Sequence, residues 1–233
     1  MKDRKILKYA SAVLLSSSVF CVSSLQAATI TWSVHDITND VSQISTNGVL
    51  MEARGGGSSP VGGVVVNGVT FVQTNIVDTT YHDNIGSLRV GGITGAYGTL
   101  LQYTDRVRTS AYPIPVSFTN LNAGSQYEIQ IWSSDTGENF LEKGVILNDG
   151  GIVNVPDLDT SGHVKLWQEV TDGGPGQYAI GTFTADASIQ QFLAVKYNFS
   201  GGIPTTQADH LQLNAVQLRL TFTPPSGTVL IIK

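Results

Sequence analysis

Between residues 29 and 222, short runs rich in Val, Ile, Thr and aromatic residues alternate with Gly-, Asn- and Pro-bearing breaks. A helix needs an apolar stripe of period 3.6 sustained for ten or more residues, and this punctuation denies it that length. Only Tyr97 to Tyr103 (YGTLLQY) reads as a helical turn, and it is short. Strands fit everywhere else. The spacing predicts them over residues 29–35, 49–54, 64–72, 87–90, 116–121, 126–133, 141–147, 152–155, 163–170, 177–185, 189–199 and 211–222. Asn67-Gly68 between β-branched residues marks a tight hairpin. With no fixed-period repeat, many short strands and almost no helix, the expected fold is all-β. It is a two-sheet antiparallel β-sandwich of the jelly-roll kind with at most one short helical turn.

The first residues follow other rules. Lys2, Arg4, Lys5 and Lys8 form a basic start, residues 9–22 an apolar stretch, and Ala27-Ala28 a small-residue end. This is the pattern of a secretory leader, too short in its apolar part to span a bilayer stably. It predicts a cut after Ala27, with after Ala28 as the alternative, leaving one domain over residues 28–222 and a tail over 223–233. The chain's one cysteine, Cys21, lies inside the leader and follows Phe20, where lipidation wants a small residue. Disulfides and thiol chemistry are therefore not expected of the mature chain.

The leader carries four basic residues and Asp3, a net +3, so its removal shifts the formal charge from −5 to −8. An acidic surface repels phosphate, which argues against nucleic acid and anionic membranes as partners. It suits a neutral glycan or a divalent cation. The apolar end of the tail, Val229 to Ile232, is far too short to cross a membrane.

In LNAGSQY, residues 121–127, a Gly-containing turn leads into a strand that opens with Tyr127. That spacing lets the phenol reach back to a main-chain group at the turn, the tyrosine corner of Greek-key sandwiches. VVVNGVTFV from Val64, FTNLNAGSQYEIQIWSSD from Phe118, YAIGTFTADAS from Tyr178 and LNAVQLRL from Leu213 together resemble an uncharacterised group of exported domains from environmental bacteria. Those domains are similar to the galactose-binding-like jelly rolls. The resemblance implies the fold, and beyond it a superfamily in which many members bind carbohydrate and others are structural. Members often carry a C-terminal sorting segment; this chain has no recognisable one.

Strand phase sorts the tryptophans. Trp32 shares parity with Ile30 and Val34 and is expected in the core. Trp132 falls opposite Tyr127, Ile129 and Ile131, on the face of Glu128 and Gln130. Trp167 falls opposite Val164 and Leu166, beside Lys165 and Glu169. An indole flanked by hydrogen-bonding side chains suits the apolar face and hydroxyls of a pyranose, so these six residues are the candidate ligand contacts. Burial under a loop or the second sheet is the competing reading.

Asp157, Asp159 and Ser161 before Gly162 begin a calcium-loop pattern, and a structural calcium is the one cofactor the sequence suggests. The position wanting a bidentate Glu holds Gln168, with Glu169 one residue late, so a polar turn competes. His35, His82 and His210 each adjoin an aspartate, but neighbours in a strand point to opposite faces. HExxH and GxSxG spacings are absent, and Gly55-Gly56-Gly57 lacks the lysine of a phosphate loop. The expectation is a non-catalytic module binding carbohydrate or another extracellular polymer. A structural or adhesive surface domain comes second and a polysaccharide-degrading enzyme third.

Overall fold

The computed structural model describes residues 27–57, 63–77, 82–85, 88–107, 114–136, 143–148, 164–198 and 211–225. Its strands are β1 (Thr31–Asp36), β2 (Val49–Gly55), β3 (Val64–Val66), β4 (Val69–Gln73), β5 (His82–Ile85), β6 (Thr104–Val107) and β7 (Ile114–Thr119). They continue as β8 (Gln126–Ser133), β9 (Lys143–Leu147), β10 (Val164–Trp167), β11 (Gln177–Thr184), β12 (Ile189–Asn198), β13 (Leu211–Leu213) and β14 (Ala215–Phe222). Among the described residues one helix, α1 (Gly95–Leu101), overlaps the predicted 97–103 stretch but starts and ends two residues earlier, and a 3-10 turn covers Val41–Gln43. The protein is mainly β, as its punctuation predicts.

Seven strands form one sheet in the order β1-β11-β8-β14-β2-β4-β3, four form a second as β10-β9-β12-β7, and β13-β6-β5 form a third. Among the described residues every pairing is antiparallel except the short parallel contact of β2 with β4. Alternation supplies the shared core between the first two sheets. Tyr127, Ile129 and Ile131 of β8 and Val216 and Leu218 of β14 meet Val116 and Phe118 of β7, Val145 of β9, Leu166 of β10 and Phe192 of β12. Trp32 packs against this core as its parity predicts, edge-on to Phe192 at 5.3 Å.

Two local signals are realised. Asn67 and Gly68 take positive φ, 49° and 76°, between the paired Val66 and Val69, the geometry a two-residue hairpin demands. The Tyr127 hydroxyl accepts the Asn122 N–H at 2.8 Å while its ring stacks on Phe183. Tyr127→Phe keeps the ring and removes that acceptor, so it should cost about 1–2 kcal/mol in urea unfolding. An unchanged midpoint would strip the corner of its role.

Other expectations need correction. Residues 88–90 are not a strand; Leu88 N–H donates to Gln102 C=O and Val90 turns into a core. Strands β5 and β6 escape the sequence reading because TDRV and HDNI carry charged residues where apolar alternation is sought. The run 211–222 is two strands, parted at Asn214. Residues 152–155 lie outside the described residues.

Candidate functional site

Trp132 emerges from β8 on the face that parity assigns it, but that face is covered. The hairpin β3–β4, helix α1 and residues 37–44 lie over it and build a second core from Ile37, Ile44, Val66, Phe71, Tyr97 and Leu101. Trp132 is fully buried there, edge-on to Phe71 at 5.7 Å and stacked near Tyr178 at 6.2 Å. Its indole N–H donates to the Tyr97 hydroxyl at 3.0 Å. Burial pushes the Tyr97 phenol far above its ordinary pKa, which keeps it a neutral partner. An indole with both faces occupied has none to offer a sugar, so Trp132 is a core residue rather than a ligand contact.

Glu128 and Gln130 share that face and are spent internally. Residues 43–48 cross the sheet as a strap, and the side chains beneath hold its main chain. Gln130 donates to Gln43 C=O at 2.6 Å and accepts Ser45 N–H at 2.9 Å. Gln217 donates to Ser45 C=O at 3.1 Å and to Gln130 Oε1 at 2.8 Å. Arg219 donates to Asn47 C=O at 2.7 Å and Gly48 C=O at 3.1 Å. The Glu128 carboxylate accepts from Ser45 Oγ and, at 3.4 Å, from Asn47 Nδ2. Burial lowers the Arg219 pKa, and the Glu128 charge beside it partly opposes that shift. Polar residues at strand positions facing a supposed surface gave no sequence sign that the chain itself would cover them.

Trp167 and Lys165 belong to the other sheet, and Glu169 lies in the turn that follows β10. Trp167 is half-buried at the end of β10, its main-chain N–H bonded to Gln177 Oε1 at 2.9 Å. Lys165 is exposed. Glu169 is buried and accepts Gly173 N–H at 2.5 Å, closing a turn rather than facing a ligand. Trp132 and Trp167 therefore sit on the outer sides of different sheets and share no site.

Asp157, Asp159 and Ser161 lie outside the described residues. Among the described residues no group of three metal-ligating side chains converges. His35 is exposed, stacks on Tyr178 at 5.1 Å and lies 3.1 Å from Ser33 Oγ. Among the described residues no carboxylate hydrogen-bonds to His35, so the pair lacks the orienting group of a nucleophilic triad. No helix among the described residues is long and apolar enough to cross a membrane.

At the opposite end of the same outer face lies a trough of about 690 Å³, which includes Thr31, Asn47, Gln126, Glu128, Thr182 and Thr184 in its lining. Cross-strand pairing arranges it in rows. Thr31 of β1 faces Thr182 of β11, which faces Glu128 of β8; Thr184 faces Gln126. Thr31, Thr182, Thr184 and Gln126 are exposed. Beside Gln126 stands Phe222, 49% exposed. Plain alternation along β14 would send Phe222 inward with Leu218 and Leu220. A bulge at Thr221 lets Leu220 pair with Tyr127 and Phe222 with Gln126, which moves the phenyl to the Gln126 face. The motifs Thr29-Ile30-Thr31 and Thr182-Phe183-Thr184 held the sequence signal for the hydroxyls, each with its middle residue in the core. Nothing local announced the bulge.

The chain matches no protein-family model, and no curated protein aligns with it significantly.

Proposed function

We propose that this protein is an exported, non-catalytic binding module on a galactose-binding-like jelly-roll frame, taking a carbohydrate or similar hydroxyl-rich extracellular polymer in the trough across β1, β11, β8 and β14. The observation that carries the reading is the row of exposed hydroxyl and amide groups of Thr31, Thr182, Thr184 and Gln126 that lines the trough, with the half-exposed Phe222 paired to Gln126 at its β14 edge. A pyranose offers an apolar face to a ring and hydroxyls to such groups, and a neutral one suffers no repulsion from an acidic surface. Glycoside hydrolysis calls for two carboxylates flanking the bond. The carboxylate lining this trough belongs to Glu128, and both of its oxygens already accept hydrogen bonds from the strap.

Retention on a panel of neutral polysaccharides tests the reading. Phe222→Ala should weaken binding at least about tenfold, the equivalent of ~1.4 kcal/mol, without altering the fold, because the ring is half in solvent. A panel in which wild type and variant are retained alike would dismiss the trough as the site.

One observation favours a structural or adhesive role as the second reading. Among the described residues β2 pairs with β14 along its length but with β4 only at Arg54 and Gly55, and the stretch without a second partner there carries Val49, 63% exposed, and Met51, 41% exposed. An open strand edge with apolar side chains favours association between chains. A blank polysaccharide panel together with concentration-dependent self-association would favour that role.

A further inference from the structure

We propose that cleavage between Ala27 and Ala28 completes the trough by placing a terminal ammonium at its rim, positioned by Gln190. The proposal rests on the export reading above. Ala28 lines the trough and packs against the main core. Its carbonyl accepts a hydrogen bond from Gln190 Nε2 at 2.8 Å. The Gln190 side chain is 1% exposed, and its Oε1 is buried with no hydrogen-bond partner.

A buried acceptor left unpaired costs about 1–3 kcal/mol, so its occurrence asks for a missing donor. In an extended residue the N–H and C=O point the same way, and one primary amide can serve both. Here Gln190 serves only the carbonyl. In the hydrolysis, water adds to the Ala27 carbonyl carbon and the C–N bond breaks. Ala27 leaves as a carboxylate, and the Ala28 nitrogen keeps its amide proton and takes both protons of the water, which makes it an ammonium. Freed from the peptide plane of Ala27, this nitrogen has three donors where the amide had one. One of them meets Gln190 Oε1; the others face the trough, where donors match the ring and hydroxyl oxygens of a glycan.

Two measurements decide it, neither needing a ligand. Intact-mass analysis of the full chain exported by a bacterial host should give a mature form beginning at Ala28; any other start overturns the proposal. The Ala28 form should melt about 2–4 °C above a form extended by Gly-Ser at its N-terminus, the shift expected for ~1 kcal/mol in a chain of this size. A partner raises the folded-state pKa of the ammonium above its ordinary ~7.7–8.0, so the gap is full below about pH 7 and is lost as pH rises through the folded value. Gln190→Met should abolish the gap. If that variant does not fold, the α-amine titration of the wild type by NMR decides: a raised pKa supports the proposal, and an ordinary one overturns it. Equal melting of the two forms at pH 6 also overturns it. Since melting is read without glycan, failure here is distinct from failure of the trough to bind.

Discussion

Trp132→Ala will destabilise rather than disarm this protein, costing about 3–5 kcal/mol in chemical denaturation. The indole is the largest of the fully buried side chains and sits at the junction of β8, the hairpin β3–β4 and helix α1. Truncation removes its contacts with Phe71 and Tyr178 and leaves the Tyr97 hydroxyl with its donor gone. Relaxation into the space is limited, because Ala215 lies directly across from Trp132 on β14 and both strands are pinned by long ladders. The melting temperature should fall by roughly 10 °C, taking about 2–4 °C per kcal/mol. Loss of the cover over the sheet should also open the segment spanning the 3-10 turn at Val41–Gln43 to proteolysis. Near-wild-type stability, within about 1 kcal/mol, would mean that the second core does not hold this face. Phe222→Ala is the contrast: an aromatic lost from the core lowers stability, while one lost from the β14 edge of the trough lowers binding alone.

The error that separates these two rings shows where sequence reading stops. Alternation correctly put Trp132 opposite Tyr127, Ile129 and Ile131, and the same rule set Trp32 against the main core. The Asn67-Gly68 hairpin and the Tyr127 corner were legible because each needs only a few neighbouring residues. What covers a face is decided by segments far along the chain. Ile37, Val66, Phe71 and Leu101 reach Trp132 across separations that no local period encodes. The polar side chains of Glu128 and Gln130 suggested solvent, yet Gln130, with Gln217 and Arg219, answers main-chain groups of residues 43–48, and Glu128 accepts from the Ser45 and Asn47 side chains. A bulge is similarly silent: one extra residue at Thr221 reverses the side of Phe222 without changing a letter of the pattern. For Trp132, Glu128 and Gln130, parity alone was therefore right about direction and silent about what they met.

Asn214→Ala should be the most damaging polar substitution among the described residues, at about 3–5 kcal/mol. Asn214 stands in the gap between β13 and β14, fully buried, where apolar alternation predicted an unbroken strand. Its Oδ1 accepts Ser134 N–H at 2.6 Å, and its Nδ2 donates to Leu101 C=O at 2.7 Å, Ser134 C=O at 3.0 Å and Tyr103 C=O at 3.3 Å. One amide thus closes the end of α1 and the exit of β8 onto β14. Alanine strands these main-chain groups without water, each at about 1–3 kcal/mol before relaxation. Asn214→Asp separates size from chemistry. It is nearly isosteric, but its carboxylate would face three carbonyl oxygens with no donor. Desolvation and those dipoles would raise its folded-state pKa above the ordinary ~3.9. Below the unfolded value the protonated acid still donates one hydrogen bond, so the variant is least impaired there. Its stability should then fall as pH rises towards the raised folded value. Urea midpoints at pH 3.5 and pH 7 read this directly, each referred to wild type at the same pH. An aspartate variant whose deficit is the same at both would show that the amide donors are not what holds β8, α1 and β14 together.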